Sequence, residues 1–347
     1  MCNNKILLTR NLKMSIINSH NSFNFIRLVC CLIVIYEHTL VLTDIQFINL
    51  NLRGIAVSIF FVLSGFWVTK SYISSVSVKN FFIKRCKRLL PLYYGVIIVT
   101  AAGFVFFTNL SIKDYFMNTG FFKYLFANAI FLNFLAPNLP GVFGGLPING
   151  SLWTLKLEVG FYLLLPVIVH IYNKLNTVFK KNMFLLIIYL SSFLYLFVFI
   201  SVKNHYNLPP QLLHQLPAYM AYFISGMLYY FNWEFLRKHE RKLFVVSLAV
   251  FGITWFIKFL LIEVLFPFAL ASFVMFLSVH LKIFNSIGAD IDYSYSMYLL
   301  HYPIIRILDS LQYFSLKPVI AIIAVFSITF LIAFLIYRLK FFLLSLK

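Results

Sequence analysis

The chain has 347 residues, of which 62% are hydrophobic and only 11% carry a charged side chain. Soluble domains contain about 25% charged residues, so this composition excludes an ordinary soluble protein and is typical of a membrane protein. The formal net charge is +19, but the basic residues lie in short clusters between hydrophobic runs. That spacing is typical of loops between membrane spans and argues against a nucleic-acid-binding surface.

Hydrophobic runs of about 20 residues, the length that crosses a bilayer as a helix, recur along the chain. We predict an all-α polytopic membrane protein with about ten transmembrane helices. The predicted spans are 24–43, 54–72, 91–108, 151–172, 184–202, 217–233, 243–260, 264–281, 293–311 and 318–337. The run at 121–136 is also hydrophobic, but Asn128 and Asn133 interrupt it, so we predict an interfacial or re-entrant segment there.

The lysines and arginines are distributed unevenly between the predicted loops. With ten spans and a cytoplasmic N-terminus, 20 of the 29 basic residues fall in cytoplasmic segments, as the positive-inside rule requires. Both termini are therefore predicted to be cytoplasmic. The predicted organisation is a cytoplasmic tail at 1–22, one transmembrane domain at 23–340 and a short cytoplasmic tail at 341–347.

The first span carries Arg27, Glu37 and His38, and such residues inside a membrane need a reason because burying them is costly. Eleven residues along an α-helix return to nearly the same face, so Arg27 and His38 share a face about 16 Å apart. We interpret them as two positions along one channel wall. The alternatives are that Arg27 extends to the cytoplasmic headgroups and that His38 is a structural histidine. Glu37 lies off this face and is expected to contact a neighbouring helix.

Two further groups of polar residues follow. Arg85 and Arg88 are three residues apart, so on a helix they project from one face and can bind phosphate groups together. The positive-inside rule alone also explains such a cluster. Glu158 lies at a depth similar to that of His38, and a His–Glu pair would fix the tautomer of the histidine. The alternative for Glu158 is an ion pair with Lys156 or with an arginine inside a span.

Five motifs occur in a fixed order: the arginine and histidine of the first span, "IFFVLSGFWVTKS" (59–71), "RCKRLLPLYY" (85–94), "SLWTLKLEVGFYLLLP" (151–166) and "YSMYLLHYPI" (295–304). Together they resemble the acyltransferase 3 family of integral membrane acyltransferases, of the O-antigen acetylase type. The resemblance extends over about residues 23 to 340.

The resemblance implies transfer of an acyl group, usually acetyl from acetyl-CoA, to a hydroxyl of a surface polysaccharide or its lipid-linked precursor. His38 matches the essential histidine of the family, and Glu158 matches its acidic position, which makes these two the candidate catalytic residues. Arg27, Arg85 and Arg88 match positions associated with the CoA donor.

Other matched positions are assigned less specific roles. Trp153 and His301 are candidate substrate contacts, and a purely structural role for His301 is equally open. Ser64 and Gly65 match a small-residue pair of the second span, which we interpret as a site of close helix packing. The chain departs from many members at Asn24, where they carry aspartate.

The resemblance also sets expectations about partners and location. Acetyl-CoA is expected as the donor substrate, with no permanently bound cofactor, in a protein of the bacterial inner (plasma) membrane. No metal site is expected, because the four cysteines lack metal-ligand spacing. The alternative function is a flippase or exporter of lipid-linked glycan, with Arg27, Glu158 and His38 lining a substrate path. We favour the acyltransferase because the sequence shows no internal repeat of the transporter kind.

Overall fold

The computed structural model describes residues 22–257, 260–287 and 292–345, and its regular elements are helices, which confirms the all-α prediction. The α-helices are α1 (Phe23–Thr43), α2 (Arg53–Ile73), α3 (Val78–Gly103), α4 (Ile112–Met117), α5 (Thr119–Ala129), α6 (Trp153–Lys174), α7 (Val178–Val202), α8 (Leu216–Phe231), α9 (Trp233–Lys238), α10 (Glu240–Phe256), α11 (Leu260–His280), α12 (Ser294–Ser310), α13 (Tyr313–Leu316) and α14 (Pro318–Ser345). Of the predicted tails, residues 1–21 and 346–347 lie outside the described ranges.

Seven helical stretches within the described ranges are long and apolar enough to cross a membrane. They are Phe23–Thr43, Arg53–Ile73, Val78–Phe107, Gly150–Lys174, Val178–Val202, Ile262–His280 and Pro318–Leu339. The other three predicted spans form the shorter helices α8, α10 and α12, of 16, 17 and 17 residues. These are about 24–26 Å long, just below the ~30 Å of a bilayer core. The chain is thus a multi-pass helical membrane protein, with seven candidate spans among its described residues.

The third helix begins earlier than predicted. Hydropathy places the start of this span at residue 91, but α3 already begins at Val78, where the Ser77 side chain accepts a hydrogen bond from the backbone N–H of Asn80. Pro91 lies inside the helix. The basic cluster that contains Arg85 is therefore helical, as predicted, but is continuous with the membrane-spanning part of α3.

The hydrophobic run at 121–136 does not form a membrane-crossing helix. Its regular part is α5, whose 11 residues span about 16 Å, roughly half of a bilayer core. Asn128 and Asn133 are both buried, and the Asn128 amide donates to the Tyr124 carbonyl at 2.8 Å. The segment therefore packs into the protein, in agreement with the predicted non-spanning element.

The closest helix crossing joins α2 and α8 at two glycines. A Cβ atom on Gly65 would lie 2.0 Å from the Phe223 carbonyl oxygen, and one on Gly226 would lie 2.1 Å from the Val62 carbonyl oxygen. The two backbones are thus in direct contact, which small residues make possible in membrane helices. This agrees with the interpretation of Gly65 as a packing residue. Phe161 of α6 stacks on Phe223 at 4.3 Å and fills the space beside the crossing.

Gly226→Ala is expected to lower the midpoint of thermal unfolding in detergent, because the added methyl group would overlap a backbone oxygen. Overpacking of this kind costs about 1–3 kcal/mol. Gly252→Ala is the matched control, since no heavy atom lies within 4 Å of its Cβ position. The control should keep or raise the midpoint because alanine favours helix. An unchanged midpoint for Gly226→Ala would contradict the direct backbone contact.

Candidate active site

A cavity penetrates the bundle between α1, α2, α3, α6 and α12. Its lining is mostly aromatic and aliphatic near the middle and charged near one end. The polar lining residues are Arg27, Ser64, Arg88, Thr154, Glu158, Tyr162, Asp292, Ser294, Tyr295 and Tyr298. The cavity therefore combines groups from most of the recognised motifs.

The charged end of the cavity is organised by Asp292. Its carboxylate lies 3.6 Å from a guanidinium nitrogen of Arg27 and 3.4 Å from one of Arg88. The second carboxylate oxygen accepts hydrogen bonds from the backbone N–H and hydroxyl of Ser294, the first residue of α12, which forms an Asx turn leading into the helix. Arg27 also donates to the Asn24 side chain at 3.1 Å. One aspartate thus fixes the start of α12 and holds two arginines.

Sequence reasoning missed Asp292. The available signal was the rarity of acidic residues: the chain has only 10 of them, and this one stands three residues before the "YSMYLLHYPI" motif. An acidic residue at the predicted start of a membrane helix needs a cationic partner or a hydrogen bond from the helix N-terminus.

The predicted pair of Arg85 and Arg88 is divided between two environments. Arg88 lines the cavity, whereas Arg85 is not among the lining residues. The Arg85 guanidinium donates to the Ser71 hydroxyl at 3.0 Å and lies 5.8 Å from the Tyr162 ring and 6.0 Å from the Phe81 ring. Arg88 therefore shares the cavity with Arg27 and not with Arg85, and a joint role of Arg85 and Arg88 in donor binding stays a prediction.

Glu158 also has a different partner from the one predicted. It accepts a hydrogen bond from the hydroxyl of Tyr162, one turn further along α6, and both side chains line the same cavity as Arg27. The alternative ion pair with Lys156 is also absent from this site, because the Lys156 ammonium donates to Gln215 at 2.7 Å. Glu158 therefore faces the arginine-lined cavity, and the expected pair with His38 is not formed.

His38 pairs instead with His301 of α12. The His38 Nδ1 and His301 Nε2 atoms are 2.8 Å apart, and the two rings are nearly parallel, at 7°. Tyr302 contacts the His38 ring edge-on, with centroids 5.6 Å apart. His301 is completely buried, whereas His38 is partly exposed. The two histidines identified separately in the sequence thus form one hydrogen-bonded unit.

A proline in α12 explains how this helix is held. Pro303 has no N–H to donate to the Leu299 carbonyl one turn earlier, and the side-chain amide of Asn149 donates to that carbonyl at 2.9 Å. The Asn149 side-chain oxygen in turn accepts from the Ser151 hydroxyl at 2.6 Å. The segment that leads into α6 is therefore fastened to α12 beside the histidine pair.

Tyr298 connects the cavity with the histidines. Its hydroxyl lies 2.9 Å from the Thr154 hydroxyl, and both residues line the cavity. Its ring centroid is 5.6 Å from that of His301. The inner cavity and the histidine pair are therefore separated by the thickness of one aromatic side chain.

Glu37, the residue before His38, stabilises the start of a neighbouring helix. Its buried carboxylate accepts hydrogen bonds from the backbone N–H groups of Leu52 at 2.6 Å and Arg53 at 3.0 Å. These are N–H groups at the start of α2, where a negative charge also interacts favourably with the helix dipole. The expectation that Glu37 contacts a neighbouring helix is confirmed.

Trp153 belongs to an aromatic cluster at the starts of α6 and α8. Its ring lies 5.0 Å from His214 and 5.5 Å from Tyr219, between ring centroids. Partial burial, together with the charge of Arg53, lowers the pKa of His214, so its imidazole is neutral at pH 7. The cluster presents aromatic faces and a neutral hydrogen-bonding ring.

Comparison with known proteins adds independent information. A family model described as an acyltransferase domain, the acyltransferase 3 type, matches residues 20–338. An O-acetyl transferase of Shigella phage Sf6 is 26% identical over 325 residues, which cover 88% of this chain and 90% of that protein. Nodulation protein 10 of Rhizobium leguminosarum bv. viciae is 30% identical over 44% of this chain and 45% of its own length.

A third relative is matched over a shorter part. The peptidoglycan O-acetyltransferase OatA of Listeria monocytogenes is 30% identical over 35% of this chain, a match that covers 20% of OatA. The matched part of this chain thus spans less than half of the nodulation protein and of OatA, and most of the phage protein. No solved structure matches this chain.

Glu37→Leu is expected to weaken the start of α2, because two backbone N–H groups lose their acceptor. Loss of an N-cap costs about 0.5–2 kcal/mol. Hydrogen–deuterium exchange of the amides of Leu52 and Arg53 should accelerate in this variant. Glu37→Gln keeps one acceptor oxygen and should give an intermediate rate. Unchanged exchange at both amides in Glu37→Leu would show that the carboxylate does not cap the helix.

Proposed function

The chain belongs to the acyltransferase 3 family, and from that premise we propose that it is a membrane O-acyltransferase of the bacterial inner membrane. It moves an acetyl group from cytoplasmic acetyl-CoA to a hydroxyl of a cell-surface polysaccharide, of the O-antigen or capsule type, or of its lipid-linked precursor. The observation that carries this proposal is the cavity. It has two arginines at one end and extends to Tyr298, which lies beside the histidine pair.

The arginine end of the cavity suits the phosphate groups of CoA. Arg27 and Arg88 place two guanidinium groups there, beside the carboxylates of Asp292 and Glu158. Guanidinium groups bind phosphate by charge-assisted, often bidentate hydrogen bonds. Asp292 holds Arg27 and Arg88 in place before a ligand arrives, which reduces the entropy lost on binding. Arg27 and Arg88 are thus the donor-binding arginines of the proposal, with Arg85 supporting the wall behind Tyr162.

The distance to the histidine fits the length of the donor. Arg27 and His38 lie eleven residues apart on α1, which corresponds to about 16 Å, and the pantetheine arm of CoA is an extended chain that bridges such a distance. The cavity lining combines aromatic and aliphatic side chains with a few polar and charged groups, as is usual for small-molecule sites. Glu158 stands along this path, where its carboxylate is available to an amide N–H of the pantetheine.

The chemistry starts from a lone pair on His38. In direct transfer, His38 removes the proton of the acceptor hydroxyl, the oxygen attacks the thioester carbonyl, and the CoA thiolate leaves and takes the proton back from the imidazolium. In the two-step route, the imidazole attacks the thioester first and carries the acetyl group to the hydroxyl. Both routes give the acetyl ester and free CoA thiol, and both require an unprotonated ring nitrogen on His38.

The acceptor approaches from the other side in this proposal. The cluster of Trp153, His214 and Tyr219 lies at the starts of α6 and α8, and Tyr219 also contacts Phe61 of the cavity wall at 5.0 Å. Aromatic faces and a few polar groups are typical linings of ligand sites. The cluster is therefore suited to hold a sugar ring whose hydroxyl reaches His38.

This arrangement requires ten membrane crossings with both termini in the cytoplasm. The excess of basic residues in the corresponding loops supports this orientation. Helices α8, α10 and α12 are about 24–26 Å long. They complete the ten membrane crossings when the local bilayer thins slightly, and this thinning costs only fractions of a kcal/mol per Å of mismatch. Arg27 and Arg88 then face the cytoplasm, and Trp153 faces the outside.

The direct test is to delete the gene and compare the surface polysaccharide by mass spectrometry. The proposal predicts that the polysaccharide is still made and exported but lacks one acetyl group per modified repeat unit. Complementation with the wild-type gene should restore the mass. Loss of the polysaccharide itself, with accumulation of its lipid-linked precursor inside the cell, would contradict the proposal and indicate a flippase.

His38→Ala is expected to abolish transfer while leaving membrane insertion and thermal stability intact, because the reacting nitrogen is lost. Removal of a general base or acyl carrier reduces the rate at least about 100-fold. The measurement is acetyl transfer from labelled acetyl-CoA by the purified protein. Transfer by His38→Ala within a few-fold of the wild-type rate would exclude this residue from the chemical step.

Arg88→Ala is expected to raise the KM for acetyl-CoA at least about tenfold, since a hydrogen bond to a charged group contributes about 1.5–3 kcal/mol. Arg27→Ala should have the same effect. Lys87→Ala, an exposed basic residue on the same helix, is the charge-matched control and should leave the KM unchanged. An equal rise in the KM for Lys87→Ala would mean that only the general positive charge of this surface matters.

A further inference from the structure

The hydrogen bonds around His301 define the protonation of its ring nitrogens. The His301 Nδ1 lies 3.3 Å from the Met297 backbone carbonyl oxygen, and a carbonyl oxygen can only accept. The Nδ1 therefore carries the hydrogen. In a neutral imidazole the other nitrogen is then an acceptor, so the His301 Nε2 presents its lone pair to His38.

The same reasoning extends to His38. Its Nδ1 lies 2.8 Å from the His301 Nε2, and since that atom accepts, the His38 Nδ1 donates. A neutral His38 then keeps its lone pair on Nε2. Among the described residues, His301 is the hydrogen-bond partner of the His38 ring. The His38 Nε2 atom therefore has no protein partner within that part of the chain.

On this basis we infer that His301 is a positioning residue that holds His38 in the tautomer whose Nε2 is the reacting nitrogen. The inference rests on the proposed function, because it specifies how His38 supplies its lone pair. The order of bonds runs from the Met297 carbonyl through His301 to His38. An orienting acceptor on the far nitrogen of a reactive histidine fixes both its tautomer and its ring orientation.

His301 also stabilises the charged state of the reaction. When the His38 Nε2 takes the acceptor proton, or attacks the thioester, the ring becomes cationic and its Nδ1–H still donates to the neutral His301. That hydrogen bond then becomes charge-assisted and stronger. Because His301 is completely buried, water does not compete for its Nε2, and the bond is made in a low-dielectric environment.

The fold holds the two rings in this relation. His301 lies on α12 two residues before Pro303, in the turn whose free Leu299 carbonyl is bonded by Asn149 at 2.9 Å. Tyr298 packs against the His301 ring at 5.6 Å, and Tyr302 packs against both histidines. Neither ring is free to rotate without displacing a tyrosine, so the hydrogen bond is fixed before any substrate binds.

The kinetic test compares two substitutions of His301 in the purified full-length protein. His301→Phe keeps a ring but has no acceptor, and it should lower kcat about 10- to 100-fold, the usual cost of losing an orienting partner. The KM for acetyl-CoA should stay within about twofold of the wild-type value, because no phosphate contact changes. His301→Gln places an amide oxygen near the former Nε2 and should recover most of the lost kcat. His170→Phe, an exposed histidine on α6, is the matched control and should retain full kcat.

The spectroscopic test does not depend on activity, and it observes the two rings in the wild-type protein. Nitrogen-15 NMR of histidine-labelled wild-type protein, with His38→Gln and His301→Gln used to assign the two rings, reports which nitrogens carry hydrogen. The inference predicts protonated Nδ1 and unprotonated Nε2 for both neutral rings. A His38 ring protonated on Nε2 would overturn it, as would wild-type kcat in His301→Phe or equal losses in the Phe and Gln variants. If acetyl-CoA proves not to be a donor while the predicted tautomers are observed, the proposed function fails and the His38–His301 arrangement stands.

Discussion

One missing hydrogen bond in α12 determines much of the site. Pro303 leaves the Leu299 carbonyl without its helical partner, and inside a membrane such a group has no water to bond and costs several kcal/mol if left alone. Asn149 supplies the bond and so ties the start of α6 to α12. This hydrogen bond holds Thr154 against Tyr298, and the cavity is closed next to the histidines.

The same helix carries the electrostatic organisation of the cavity at its other end. Asp292 accepts hydrogen bonds from Ser294 at the start of α12 and faces both Arg27 and Arg88, so the position of α12 and the positions of the arginines are set together. Charged side chains inside the membrane part of a protein are stable only when they are paired or lie next to a cavity. Two arginines share one aspartate here, and the guanidinium N–H groups that Asp292 does not engage are available to an anionic ligand.

The sequence predicted those features that depend on a single helix. Arg27 and His38 lie on one helix, although only Arg27 is among the residues that line the cavity, and the all-helical class followed from hydropathy. Contacts between helices were predicted poorly. Glu158 and His38 have similar depths, but depth along two helices does not say which side chains face each other, and each found another partner.

Two further differences have the same physical origin. Arg85 and Arg88 share a helix face, but their long side chains diverge, and only Arg88 turns into the cavity. Hydropathy placed the start of α3 too late because lysines and arginines lower the average although they favour helix. The bond between His38 and His301 was beyond sequence reasoning, since it joins residues 263 positions apart.

In the proposed function, one chain passes an acetyl group from a donor on the arginine side to an acceptor on the Trp153 side. Proteoliposomes of known orientation provide the test, with labelled acetyl-CoA confined to the arginine side and the polysaccharide acceptor confined to the other. Labelled polysaccharide is expected in this arrangement and none when the two substrates are exchanged. Transfer only when donor and acceptor are supplied on the same side would contradict this proposal.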